Sequence, residues 1–184
     1  CHKPLIILKS EVLPQPDGPV IKRVSLLLIF MLRSLIMGFV EPGVYRSAFL
    51  ISIKDKIILL DPMLGSHASP IPLPMLRRYS KEVSIAPDSI PFIDFVVLSH
   101  DHYDHLDFST IKLIKDNVKT FLVPLGIGSH LKSWDVEEEN INEMNWGQSY
   151  KINDIEFICL PARHFSGRGP MNRNSTLWSS WAIK

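Results

Sequence analysis

The residues best equipped for chemistry stand together in Ser99-His100-Asp101-His102-Tyr103-Asp104-His105-Leu106-Asp107, which contains the pattern His-x-His-x-Asp-His. In extended backbone, side chains two residues apart point the same way, so His100 and His102 can close on one metal ion. A turn after them can swing Asp104 and His105 toward a second, adjacent ion. Neutral imidazole and carboxylate suit Zn²⁺, and the same set also holds Fe or Mn. A polar surface loop would account for the composition but not for the spacing, and burying such a cluster without a ligand would be costly. His2, His67 and His130 are scattered singly along the chain and read as ordinary surface or loop residues. Cys1 and Cys159 are the only cysteines, too few for a thiolate cage or a disulfide framework, so histidine and carboxylate must do the holding. That cysteine usage agrees with a reducing compartment.

Such ligands need a rigid platform, and the flanking sequence supplies one. Phe92-Ile93-Asp94-Phe95-Val96-Val97-Leu98 is a nearly continuous apolar run, the signature of a strand covered on both faces, and it ends at Ser99-His100. After the motif, Asp107 or Ser109 can cap a helix through Ile111, Leu113 and Ile114, and Thr120 to Pro124 returns as a strand. Upstream, Ala48 to Ile53 and Ile57 to Pro62 read as a hairpin about Lys54-Asp55-Lys56, followed by a proline-rich loop from Gly65 to Pro74. Downstream, Gly126 to Trp134 opens a second helix. Ser149 to Ile152 and Ile155 to Leu160 form a second hairpin about Asn153-Asp154, Pro161 to Arg173 is loop, and a strand begins near the end of the chain.

A length of 184 residues and a hydrophobic content of 46% suit one packed domain. Twenty Lys and Arg against nineteen Asp and Glu leave a net charge of +1, which offers no global electrostatic case for a nucleic-acid partner. Any phosphate recognition must be local. Residues 1–40 differ in character: Pro14, Pro16, Gly18 and Pro19 precede an apolar run from Val24 to Met37. Its longest unbroken piece, Leu26 to Leu32, falls far short of the ~20 residues a membrane span requires. With Lys3, Lys9, Lys22, Arg23 and Arg33 nearby, this segment reads either as a basic, apolar helix lying on a membrane surface or as a poorly ordered, non-native leader. The expected division is therefore an atypical extension over 1–40 and a hydrolase domain over 41–184, cytoplasmic or peripheral to a membrane. The chain opens at Cys1 and stops at Lys184 within an apolar run, so both ends read as cut.

The pattern His100-x-His102-x-Asp104-His105 after a hydrophobic strand resembles the metallo-β-lactamase superfamily signature. Leu60-Asp61-Pro62 with Ala68-Ser69-Pro70, Val123-Pro124-Leu125-Gly126, Pro161 to Gly169 and Arg173-Asn174-Ser175-Thr176-Leu177-Trp178 narrow the resemblance to its N-acyl-phosphatidylethanolamine phospholipase D branch, over roughly residues 48 to 184. The resemblance implies an αββα sandwich of mixed sheets, of which this chain holds about the amino-terminal half. It makes His100, His102 and His164 ligands of one Zn²⁺ and Asp104 and His105 ligands of another, with Asp104 doubling as the catalytic carboxylate. Asp61 becomes the carboxylate that orients a ligand imidazole. Arg168, Arg173 and Asn174 become candidates for contact with a substrate anion, while Trp178 and Trp181 read as core.

The implied reaction is attack by a metal-activated hydroxide on the phosphodiester of a phospholipid or another small molecule. Two departures bear on it. The family's Gly-His pair on the first strand is Tyr45-Arg46 here, and its bridging aspartate and last metal-binding histidine lie beyond Lys184. A sugar-lactone hydrolase of the same fold and a non-catalytic metal-binding fragment are the competing expectations, since one scaffold hosts many chemistries.

Overall fold

The hairpin that opens the core is dictated by its turn. Lys54 and Asp55 both take positive φ, 48° and 63°, the primed-turn twist that lets two antiparallel strands pair without splaying. The strands it joins are β2 (Phe49–Ile53) and β3 (Lys56–Leu60), in register from Phe49 opposite Leu60 to Ile53 opposite Lys56; a shorter strand, β1 (Ile6–Leu8), precedes them. The computed structural model describes residues 6–8, 49–65, 67, 69 and 90–184. Expectations for the run from Val24 to Met37, for Tyr45-Arg46 and for Ala68 and Pro70 fall outside the described residues, as does most of the proline-rich loop.

β4 (Ile93–Val97) is buried at every position, as its unbroken apolar run requires. It lies parallel to β3 and to β5 (Val118–Pro124). The crossover between β4 and β5 is α1 (Phe108–Ile114), started by Asp107, whose carboxylate accepts from the Thr110 amide at 2.9 Å and from its hydroxyl at 2.6 Å. After α2 (Gly128–Ser133), β6 (Ile141–Met144) joins β5 in parallel and completes a five-stranded mixed sheet in the order β2-β3-β4-β5-β6.

The second sheet is antiparallel. It is built from β7 (Ser149–Ile152), β8 (Ile155–Leu160) and β9 (Ser180–Ile183), with β1 pairing onto β9, in the order β1-β9-β8-β7. β1 falls inside the segment read from sequence as an extension, and its pairing was not foreseen. The alternation of side chains along β4 divides the core in two. Phe95 and Val97 face the second sheet and pack with Ile58, Leu122, Phe157 and Trp181, while Val96 and Leu98 face the helices and pack with Ile111, Ile114 and Leu131. Sheet on sheet with helices outside the five-stranded one is a partial αββα sandwich, and among the described residues no helix packs on the outer face of the second sheet. Among the described residues no helix is long and apolar enough to cross a membrane.

Candidate metal centre

The centre forms where parallel strands end. β3 stops at Leu60, and Asp61 leaves it with φ of 40°, a left-handed conformation that aspartate tolerates better than most residues, while its N–H still donates to Val97 O at 3.0 Å. β4 stops one strand over, so Ser99 emerges beside Asp61: its amide donates to Asp61 Oδ1 and its hydroxyl to Asp61 Oδ2, both at 2.7 Å. The chain then reverses in a turn closed by His105 N–H and Leu106 N–H, which both donate to His102 O. This returns His105 to the strand ends, with Nδ1 3.0 Å from Asp61 Oδ2. The Trp181 indole donates to Leu98 O at 2.9 Å and Ser179 N–H to Ser99 O at 2.8 Å, fixing the second sheet against the motif's first residues.

Three ring nitrogens meet at the centre. His100 Nε2 is 2.9 Å from His102 Nδ1 and 2.9 Å from His164 Nε2, and the last two are 3.3 Å apart. A tetrahedral cation bound at ~2.0–2.1 Å by each nitrogen sets its ligand atoms about 3.3 Å apart. The triangle is within a few tenths of an ångström of that, so the donor set fits one such ion. Tautomers agree with the fit. His100 Nδ1 donates to Ser99 Oγ at 2.8 Å, and that hydroxyl donates onward to Asp61, which leaves the lone pair of His100 Nε2 free for a metal.

The electrostatics favour neutral ligands. Burial, reinforced by the neighbouring imidazoles of His105, His164 and His102, pushes the His100 ring far below the ordinary histidine range. His102 and His164 are also lowered, chiefly by burial, although Asp104 opposes the shift in both. His105 is the exception: burial lowers it, but the hydrogen bond to Asp61 and the charges of Asp61 and Asp104 outweigh burial and raise it.

Four of the expected site residues, His100, His102, His105 and His164, are gathered here with Asp61. Among the described residues the cluster of three or more groups able to hold a metal ion comprises His100, His102 and His164. Asp104 lies at its edge, with a side chain 60% exposed and Oδ2 3.5 Å from His105 Nε2.

Arg168, expected to meet a substrate anion, is tied to the His-x-His turn. Its Nη1 donates to Asp101 O and Leu106 O, both at 2.7 Å, and its guanidinium lies 4.0 Å from the centre of the Tyr103 ring. Asn174 takes φ of 59° and donates its N–H to Ser166 O at 2.9 Å, closing the loop. The sequence reading missed Ser99 and His130. His130, taken for an ordinary surface or loop residue, sits half-buried on α2 with Nε2 3.7 Å from the fully buried Asp101 carboxylate. Nothing local marks that pairing, which joins positions distant in sequence. Cys159 is buried, and burial pushes its thiol up to about 11.

The Beta-lactamase superfamily domain matches residues 56–184. An uncharacterized protein of Mycobacterium tuberculosis (strain H37Rv) is 44% identical over 140 residues, covering 75% of this chain and 37% of its own length. The N-acyl-phosphatidylethanolamine-hydrolyzing phospholipase D 1 of Caenorhabditis elegans is 34% identical over 148 residues, covering 75% of this chain and 41% of its own. The chain thus spans about two fifths of these relatives. Among solved structures, CmlA, a diiron beta-hydroxylase from Streptomyces venezuelae, superposes with a TM-score of 0.52 at 20% identity, covering 77% of this chain and 26% of CmlA. That likeness shows the fold alone.

Proposed function

This chain belongs to the beta-lactamase superfamily domain family, and from that premise we propose that it forms the metal-holding part of a hydrolase that cleaves a lipid-like phosphodiester. The observation that carries the substrate class lies on the rim of the histidine cluster. The Phe165 ring, 41% exposed, is 4.8 Å from the His102 ring and 5.1 Å from the His164 ring, and the Arg173 guanidinium lies 4.7 Å from its centre. An apolar surface carrying a cation beside a metal-binding centre suits an anion attached to a hydrocarbon body. Met171, 96% exposed on the same loop, adds a second exposed apolar side chain to it. The phospholipase D relatives in Caenorhabditis elegans and Saccharomyces cerevisiae support the same substrate class.

Zinc suits the three imidazoles best, and a cation held there supplies a Lewis acid that polarises a phosphoryl oxygen and acidifies water. Around it, Asp61 and Ser99 hold the imidazoles of His100 and His105 in the tautomers that present Nε2. His105 Nε2 and Asp104 would form a partial site for a second cation, with Asp104 then the catalytic carboxylate. Arg173 takes the substrate's negative charge, and Phe165 lies along its apolar part.

The test is direct. The purified, zinc-loaded protein is given N-acyl-phosphatidylethanolamine in mixed micelles, and release of the phosphatidic acid is followed by mass spectrometry beside a lactone substrate. Cleavage is expected, with at least about a hundredfold loss on His164→Ala and a raised KM on Arg173→Ala. A protein that binds zinc and opens the lactone while leaving every phosphodiester intact overturns the reading. Elemental analysis of the same preparation counts one or two metals per chain.

A further inference from the structure

His164 is the ligand whose position needs explaining. It lies in the long segment between β8 and β9, beyond the last rung of their ladder at Leu160 and Ser180. Segments of this length without regular structure are ordinarily free to adopt many conformations. Yet His164 Nε2 sits 2.9 Å from a nitrogen of a residue sixty-four positions earlier. The contacts that achieve this converge on Asp101 and Arg168.

Asp101 lies between His100 and His102 in sequence and is fully buried, but it is spent on the other loop: Oδ1 accepts from Gly167 N–H at 2.7 Å. Arg168, the next residue, answers with Nη1 donating to Asp101 O and Leu106 O, and its own carbonyl accepts from Tyr103 Oη–H at 2.8 Å. Tyr103 and Trp134 flank the guanidinium, at 4.0 and 5.3 Å from their ring centres. Each partner of the Arg168 guanidinium belongs to the turn that carries His100, His102 and His105 or to the end of α2. The arrangement is costly: Asp101 Oδ2 and His130 Nε2 are buried without a hydrogen bond among the described residues. An apolar pair would hold two loops together without that penalty. A buried charge and a buried guanidinium add directional bonds to specific backbone atoms.

We infer that Asp101 and Arg168 are positioning residues that lock the His164 loop onto the His-x-His turn and so set the third metal ligand. The inference rests on the reading that these histidines hold a metal. The wild-type titration in the same experiment tests that reading separately.

The experiment measures zinc affinity by competition with a chromophoric chelator and records the visible spectrum of the cobalt-substituted protein. Wild type, His164→Ala, Arg168→Met, Tyr103→Phe and the surface variant Lys112→Met are compared. Arg168→Met is expected to weaken zinc binding by about tenfold or more and to shift the cobalt bands toward those of His164→Ala, while Lys112→Met matches wild type. An Arg168→Met protein whose cobalt bands and zinc affinity equal wild type, even with a lowered melting temperature, overturns the inference, because the residue then supports only the fold. If Arg168→Met is not recovered folded, Tyr103→Phe decides. It keeps the ring against the guanidinium and removes only the bond to Arg168 O. A loss of affinity at unchanged melting temperature supports the lock, and an unchanged affinity overturns it. Failure of wild type to bind zinc at all removes the premise instead.

Discussion

Asp61 Oδ2 lies 3.0 Å from His105 Nδ1, although the two residues are forty-four positions apart, and the same oxygen accepts the Ser99 hydroxyl that is bonded to His100 Nδ1. One carboxylate at a strand end thus holds two imidazoles with Nε2 outward. Replacing it by alanine should weaken zinc binding by about 10–100-fold, since the rings lose both orientation and basicity. Chelator competition on Asp61→Ala and Asp61→Asn measures this. Unchanged affinity in both would show that the imidazoles are held by packing alone.

Gly167 has φ of 139°, and a Cβ there would come within 3.1 Å of Arg173 Cα and 3.2 Å of Asn172 O. Neither neighbour is a flexible side-chain end, and the backbone conformation itself disfavours a side chain. Gly167→Ala should therefore push the loop away from Asp101 and lower metal affinity together with the melting temperature. Titration calorimetry and a thermal melt on one sample check both. A variant with wild-type values for each would mean that the loop can yield without moving His164.

Phe95 is buried between the sheets, with its ring centre 4.9 Å from that of Phe157 and 6.0 Å from that of Tyr150. Phe95→Ala should cost about 3–5 kcal/mol of stability, read from urea unfolding of the metal-free protein so that metal linkage does not enter. A loss below about 1 kcal/mol would indicate collapse of the cavity and a core less tightly specified than this packing implies.

Asp94 is buried within β4, with Oδ1 2.8 Å from Lys56 Nζ and Oδ2 accepting from Ile57 N–H at 3.0 Å. Burial raises its pKa, but the Lys56 bond, the Ile57 bond and the charges of Lys56 and Lys119 together hold it below the ordinary carboxylate value. A depressed carboxylate stabilises the folded state above its unfolded pKa of about 3.9, and that stabilisation is lost as pH falls through the folded value. The stability difference between wild type and Asp94→Asn should thus be constant from neutral pH to about pH 5 and shrink below pH 4. Chemical denaturation across that range tests the sign, and a difference that grows with acid would reverse it.

Much of this protein was determined locally. The alternating and continuous apolar runs placed β2, β3, β4, β7 and β8, because side-chain period follows directly from strand geometry. Asp107 starts α1 because a short carboxylate reaches the amide three residues on. The spacing His100-x-His102 foretold two imidazoles in one cluster for the same reason. Other features depended on what the chain meets after it returns. His164 could be named as a ligand only by resemblance, since its loop carries no periodic signal. That Arg168 Nη1 meets the carbonyls of Asp101 and Leu106 was not legible, because an arginine's neighbours in sequence do not reveal which carbonyls it will face. Ile6–Leu8 became a strand only by pairing with the segment from Trp181 to Ile183, at the far end of the chain. His130 and Asp101 likewise came together only when α2 packed beside the turn. Periodicity, caps and turns are governed by steric and hydrogen-bonding rules over a few residues. The partner of a buried charge is chosen by the tertiary packing that desolvates it, because only there does its alternative partner, water, disappear.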